Sequence, residues 1–212
     1  MDPPKSKICV LCGENVATTR DHVPPKGLFK GSKAGLSLIT VDACAGCNNG
    51  ASDYDEAFRT YLSLEAGRSN AAKVALWDEG AKKSLARKPR FRQELGASAK
   101  EVIDPLTGEW RIAIPVPVRL VDQVLGRTAR GLHYFHTHRI LAPHTRVLVD
   151  KADGLIDLNS GGLEHMGLGE VGGPIFRYRW AVAPEDNDSG LWVLQFHESI
   201  TYFVQTGAII ED

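Results

Sequence analysis

The sequence predicts an α+β protein whose N-terminal part is organised by cysteines and whose remainder is a mixed α+β domain with an antiparallel sheet. All four cysteines of the 212-residue chain lie within its first 50 residues, as two Cys-x-x-Cys pairs. The last third instead consists of short runs of alternating apolar and polar residues separated by turn residues, which is typical of antiparallel strands. Changes in composition divide the chain into residues 1–64, 65–100 and 101–212.

The overall composition is that of a soluble globular protein. Hydrophobic residues make up 43% of the chain and charged residues 24%, and the length allows a substantial buried core. No segment approaches the roughly 20 uninterrupted apolar residues of a membrane-spanning helix, and the N-terminus lacks the apolar run of a secretory signal. We therefore expect a cytoplasmic protein without a membrane partner. Thiols stay reduced in the cytoplasm, so the cysteines are better explained by a metal than by disulfides.

The cysteine pairs are Cys9 with Cys12 and Cys44 with Cys47, separated by 31 residues. Four thiolates make up the complete tetrahedral shell of a structural zinc ion and leave no open position for a substrate. The alternative is that four unrelated cysteines are buried in a reduced core, but chance seldom places two such pairs so close together. The sequence therefore predicts one structural zinc ion per chain, which would stabilise the fold rather than catalyse a reaction.

The segment between the cysteine pairs is predicted to contain a loop followed by a strand. Residues 23–35 include two prolines and three glycines, so they should be irregular and exposed. Residues 36–41 have the composition of a strand that leads into the second pair. After Asn48 the pattern becomes helical, with Asp53 and Asp55 favourably placed in a first turn.

Residues 65–100 are predicted to form a basic helical segment, interrupted near Gly67, Gly80 and Pro89. The net charge of the chain is −1, yet residues 61–100 carry nine basic against four acidic side chains. Six of the basic residues lie between Lys82 and Arg92. Such a run can follow the phosphate backbone of a nucleic acid, and it can equally be the solvated face of helices.

Residues 101–212 are predicted to combine a hairpin, a helix and a strand meander. A turn at residues 104–108 predicts the hairpin, and the apolar spacing from Val118 to Leu132 predicts a helix with one apolar face. Strands are expected at residues 146–149, 176–182, 191–198 and 200–205. The histidines and aromatic residues at 133–138 are better explained by packing than by a second metal site, because no cysteine or carboxylate lies at a ligand spacing among them.

The motif that indicates chemistry lies between the cysteine pairs and reads Thr-Arg-Asp-His-Val-Pro-Pro-Lys over residues 19–26, while Asn48 directly follows the second pair. This arrangement resembles the zinc-bearing branch of the HNH nuclease family, in which Asp-His lies between two Cys-x-x-Cys pairs and histidine or asparagine follows the second. The resemblance covers about residues 8–62. It implies a ββα-metal, treble-clef-like module in which a two-stranded hairpin and a helix surround one divalent ion.

The resemblance also implies a role for each residue of the motif. Asp21 and Asn48 would be oxygen ligands of a catalytic Mg²⁺ or Mn²⁺ ion, and His22 would be the general base that deprotonates a water molecule. Asp53 or Asp55 on the following helix could complete the ligands of the ion, although acids at a helix N-terminus more often only cap the helix. Lys26 and Arg20 would contact the scissile phosphate. The substrate would be a nucleic acid, with DNA expected, and symmetric cutting of both strands would require a homodimer.

Two departures from the family pattern keep other functions open. Residues 37–41 lack the asparagine that many members have shortly before the second cysteine pair, and Asn48 stands where many members have histidine. A catalytically inactive zinc treble-clef module that binds nucleic acid or protein is therefore the main alternative. A third possibility is that zinc only braces a protein whose activity lies in residues 101–212. A purely structural module has no need of a base beside a hard ligand, so the joint presence of Asp21, His22 and Asn48 favours the nuclease.

Overall fold

The strands form three antiparallel sheets in the computed structural model, which describes residues 5–31, 36–65, 71–105, 107–186 and 188–207. The strands are β1 (Thr19–Val23), β2 (Ile39–Ala43), β3 (Lys100–Ile103), β4 (Trp110–Ala113), β5 (Arg146–Lys151), β6 (Gly167–Val171), β7 (Phe176–Val182), β8 (Gly190–Phe196) and β9 (Ile200–Gly207). The helices are α1 (Ala45–Asn49), α2 (Ser52–Glu65), α3 (Ala71–Leu76), α4 (Lys82–Arg87), α5 (Pro89–Ser98) and α6 (Val118–Thr137). The predicted α+β class with antiparallel sheets is confirmed.

The N-terminal part folds as a hairpin followed by two helices. Strands β1 and β2 pair antiparallel, with Asp21 opposite Val41 and His22 opposite Thr40. The short helix α1 follows β2 directly, and α2 begins three residues after α1 ends. We refer to β1, β2, α1, α2 and the two cysteine pairs as the cysteine unit.

One prediction for the cysteine unit was wrong. The loop after β1 was expected to be irregular and exposed, but residues Lys26–Phe29 form a short 3₁₀ helix. Val23, Leu28 and Phe29 are buried in the core, since burial of these apolar side chains outweighs the turn-forming tendency of the neighbouring prolines and glycines. Gly35, at the end of the predicted loop, lies outside the described residues.

The described residues 71–98, between α2 and β3, form a series of helices. Helix α3, a π-helical turn at Trp77–Ala81, helix α4 and helix α5 follow one another. The expected interruption at Gly80 falls inside the π-helical turn, and Pro89 is the first residue of α5, where its missing N–H costs no hydrogen bond. Gly67 lies outside the described residues.

The C-terminal part is a five-stranded sheet in the order β5-β9-β8-β7-β6, with all neighbours antiparallel. The four predicted strands are confirmed as β5, β7, β8 and β9. Strand β6 was not predicted, because its glycines have little strand character. Gly167 and Gly169 allow β6 to lie directly against the rings of Trp180 and Tyr178, since a Cβ atom at either position would collide with them.

Helix α6 joins the two parts of the molecule. It contacts β5 and β9 of the large sheet on one side, and β1, β2 and α2 of the cysteine unit on the other. Its buried residues include Leu120, Val124, Leu125 and Leu132, which confirms the predicted apolar face. Phe58 of α2 completes the connection, because its ring lies 5.7 Å from that of Phe196 in the sheet. The cysteine unit and the sheet therefore share one apolar core.

The predicted hairpin at residues 104–108 is confirmed as β3 and β4, and all eight strand residues of this ribbon are exposed.

Helix α6 is the longest helix in the described ranges, and neither it nor any other described helix combines the length and apolarity needed to cross a membrane.

Candidate functional site

The four cysteine sulfur atoms lie within 4.8 Å of one another. Cys9 and Cys12 occupy a turn that Gly13 closes with a φ of 72°, a conformation that favours glycine. Cys44 follows β2 as the N-cap residue of α1, and Cys47 lies within that helix. Zinc–sulfur bonds of about 2.3 Å in a tetrahedron place sulfur atoms roughly 3.8 Å apart. The cluster therefore fits a metal ion such as zinc, and the predicted gathering of the four cysteines is confirmed.

The surroundings of the sulfur atoms favour metal-bound thiolates. The Cys47 backbone N–H donates to Cys44 Sγ at 3.4 Å, and Asn15 Nδ2 lies 3.7 Å from Cys12 Sγ. Burial raises the pKa of Cys12, but backbone hydrogen bonds from Asn15 and Glu14 outweigh it and bring that pKa to about 7. Burial and the neighbouring thiols raise the pKa of Cys47. Four thiols this close cannot all ionise unless a cation offsets their repulsion, and a metal ion provides that charge.

Asp21 faces the interior of the molecule. Side chains alternate along β1, so Asp21 and Val23 point inward while Arg20 and His22 point outward. The Asp21 residue is 7% exposed. Its Oδ1 accepts the His22 backbone N–H at 2.8 Å, and its Oδ2 accepts a hydrogen bond from Arg127 Nη2 at 3.1 Å. Burial raises the pKa of Asp21, whereas Arg127 acts in the opposite direction.

Arg127 of α6 also binds Asp55 in the first turn of α2. Its Nη1 lies 3.2 Å from Asp55 Oδ1 and its Nη2 lies 3.4 Å from Asp55 Oδ2. Burial raises the pKa of Asp55, Arg127 opposes this effect, and Asp21 adds to it. One guanidinium therefore bridges two carboxylates that come from different elements. We refer to these three residues as the carboxylate–arginine bridge.

The sequence analysis did not predict this contact of Arg127. A signal was nevertheless available, because Arg127 lies three residues after Val124 and seven after Leu120, both of which are buried. That spacing places the arginine on the apolar face of the helix. A cation there needs a buried anion, so the helical pattern could have indicated an acidic partner.

His22 is half-buried on the outer face of β1. Burial and the nearby charge of Lys26 lower its pKa, Asp21 opposes them, and Arg20 lowers it further. The imidazole is therefore mainly neutral near pH 7 and has a nitrogen that can accept a proton. Lys26 is exposed at the start of the 3₁₀ helix, and exposed Arg20 donates from Nη2 to the Thr40 carbonyl at 3.4 Å.

The side chain of Asn48 contacts the backbone of β1. Its Nδ2 donates to the Arg20 carbonyl oxygen at 3.1 Å, whereas the Asp21 carboxylate is directed towards α2 and α6. The structure thus brings Asn48 close to the strand that carries the Asp-His pair, and it supplies Asp55 and Arg127 as additional charged groups around Asp21.

Two other features of the sequence have structural explanations. In the basic run, Lys83 pairs with Glu79, Arg87 with Glu56, and Lys88 with both Asp53 and Glu56. These acids offset part of the positive charge, which favours the interpretation as a solvated face. Of the clustered histidines, His133 is fully buried and His136 stacks on Trp180 at 4.1 Å, so they pack rather than gather around a metal.

No protein-family model matches this chain, and comparison with curated proteins and with solved structures also gave no match. The function is therefore inferred from the geometry of the residues described above.

Proposed function

We propose that this protein is an endonuclease of the HNH kind that hydrolyses phosphodiester bonds in DNA and uses zinc as a structural brace. The observation that carries the proposal is the placement of Asp21 and His22 on β1. The carboxylate of Asp21 faces the following helix from within the core, while His22 is accessible from the opposite face beside two basic side chains. A hairpin and a helix around a hard ligand, with a histidine at the next position of the same strand, are the elements that metal-assisted hydrolysis requires.

In this proposal the four cysteines hold zinc, and Asp21 with Asn48 holds a Mg²⁺ or Mn²⁺ ion. When bound, the divalent ion would neutralise charge on the scissile phosphate and on the departing oxygen. His22 accepts a proton from a water molecule as the water oxygen forms its bond to phosphorus. The bond between phosphorus and the 3′ oxygen breaks, and that oxygen leaves with the electron pair and takes up a proton from solvent. Lys26 and Arg20 stabilise the negative charge of the phosphate.

One chain supplies one His22 and hence cuts one strand at a time. We therefore expect nicking by a single copy, and a homodimer only where both strands are cut symmetrically.

The test compares His22→Ala with His165→Ala, a control that alters an exposed histidine far along the sequence. Nicking of supercoiled plasmid DNA is measured with Mg²⁺, with Mn²⁺ and with a chelator. We expect His22→Ala to lose at least about a hundredfold in rate, which is the lower end of what a positioned base contributes. Zinc content and melting temperature should match those of the control. Equal rates for the two variants would contradict the proposed role of His22.

One observation favours the alternative of a zinc module that binds nucleic acid or protein without catalysis. The Asp21 carboxylate is already neutralised by Arg127, and the Asn48 amide nitrogen is bonded to the Arg20 carbonyl. A wild-type protein that binds DNA but leaves it intact with every divalent ion would support this alternative.

A further inference from the structure

The carboxylate–arginine bridge is buried and carries an excess of negative charge. The side chains of Arg127, Asp21 and Asp55 are 13%, 10% and 21% exposed. A single guanidinium thus faces two carboxylates, and bringing two such groups together away from water is costly unless a cation lies between them. The site therefore favours the binding of a positively charged group.

The guanidinium is not fully satisfied where it lies. Its two terminal nitrogens share three hydrogen bonds of 3.1 to 3.4 Å with the two carboxylates. Its Nε is buried without a hydrogen-bond partner among the described residues. By contrast, Arg130 on the next turn of α6 reaches four backbone carbonyls and has a purely structural set of contacts.

Space for a second position of Arg127 exists beside the bridge. A cavity of about 430 Å³ opens between α1, the start of α2, and α6, and the Arg127 side chain lies on its wall. Gln123, one helical turn before Arg127, and Asp122 line the same cavity. Their oxygen atoms provide alternative acceptors for a guanidinium that leaves the carboxylates.

We propose that Arg127 and a divalent cation compete for Asp21 and Asp55, so that Asp55 is an additional acidic ligand and Arg127 holds the site until an ion replaces it. This inference rests on the proposed function, because it concerns the same ion. It selects Asp55 rather than Asp53 as the ligand from α2, a choice that the sequence left open. It also assigns to α6, outside the cysteine unit, a residue that sets how readily the ion binds.

The experiment measures Mn²⁺ binding to the zinc-loaded protein by electron paramagnetic resonance, without DNA and without an activity readout. The variants are Arg127→Gln, Asp55→Asn and the matched control Asp53→Asn, which changes an exposed acid in the same turn of α2. Removing a competing cation raises the fraction of protein that is ready to bind. We expect Arg127→Gln to bind Mn²⁺ at least about tenfold more tightly than wild type, Asp55→Asn at least about tenfold more weakly, and Asp53→Asn within about twofold.

Two results would overturn the inference: Arg127→Gln binding Mn²⁺ no more tightly than wild type, or Asp55→Asn binding it as well as Asp53→Asn. If Arg127→Gln does not fold, Arg127→Lys takes its place, because lysine keeps the charge but cannot contact both carboxylates through a planar fork. Its Mn²⁺ affinity should still exceed that of wild type, and an equal or lower affinity would also overturn the inference. Failure here is distinct from failure of the proposed nuclease, which depends on plasmid nicking and His22→Ala.

Discussion

The cysteine unit and the five-stranded sheet are stabilised by different means. The sheet buries aromatic side chains, among them Trp192, Tyr178 and Phe176, and its buried Arg179 donates to the carbonyls of Leu158 and Met166. The cysteine unit also buries rings such as that of Phe58, but in addition it buries the Asp21 carboxylate and gathers four thiols. Groups able to bind a metal ion are therefore concentrated in the cysteine unit. The difference indicates where chemistry should be sought in this molecule.

Of the three changes considered, loss of the metal site should lower the free energy of unfolding most, and it tests whether the cysteine unit depends on a metal. Cys44→Ser removes one of four ligands, and structural zinc contributes on the order of 10 kcal/mol of apparent binding free energy. We expect zinc content to fall from one ion per chain to near zero and the free energy of unfolding to drop by more than about 5 kcal/mol. Elemental analysis measures the zinc content, and urea unfolding followed by tryptophan fluorescence measures the stability. A variant that lacks zinc yet unfolds like wild type would show that the cysteine unit does not depend on metal.

The second prediction concerns the contact that joins the two regions. Phe58 is 1% exposed, and its ring meets those of Phe196 and Tyr202. Replacing it with alanine leaves a cavity, so we expect a loss of about 3–5 kcal/mol in the free energy of unfolding. Trp110→Ala is the control, because this side chain is 71% exposed on the β3–β4 ribbon and should change stability little. Two separate unfolding transitions in Phe58→Ala, seen in calorimetry, would mean that the regions unfold independently.

The third prediction tests a titratable group of the sheet region. Burial, followed by the nearby His133, lowers the pKa of His136 to about 4, whereas an unfolded histidine has a pKa near 6.5. The unfolded chain binds the proton more tightly than the folded protein does. The contribution of neutral His136 to the free energy of unfolding is therefore intact above about pH 6.5 and is lost as the pH falls towards 4. Between pH 7 and pH 5 the loss amounts to about 2 kcal/mol.

Urea unfolding of His136→Phe at both pH values measures that contribution. Phenylalanine keeps the stacking on Trp180 but binds no proton, so the stability difference between pH 7 and pH 5 should shrink by about 2 kcal/mol. His165→Phe should retain the wild-type difference. An undiminished difference in His136→Phe would show that other groups cause the acid sensitivity.

The sequence by itself determined the cysteine cluster, the strand meander and the long amphipathic helix. Each of these depends on spacing within a short stretch of chain, whether three residues within a Cys-x-x-Cys pair or the helical repeat along α6, and such patterns have few structural interpretations. The sequence likewise placed Asp21, His22 and Asn48 as candidates, because their positions relative to the cysteines fall within one local motif.

Only the tertiary structure decided what surrounds Asp21. Arg127 is 106 residues away along the chain, and the sequence did not distinguish Asp55 from Asp53, whereas in the structure the guanidinium lies between Asp21 and Asp55. The burial of Leu28 and Phe29 and the fit of glycine-rich β6 against Trp180 were decided in the same way. Local propensity is worth a few tenths of a kcal/mol per residue, whereas burial of one apolar side chain is worth about 1.5–3 kcal/mol. Long-range packing therefore overrides the local pattern wherever the two disagree.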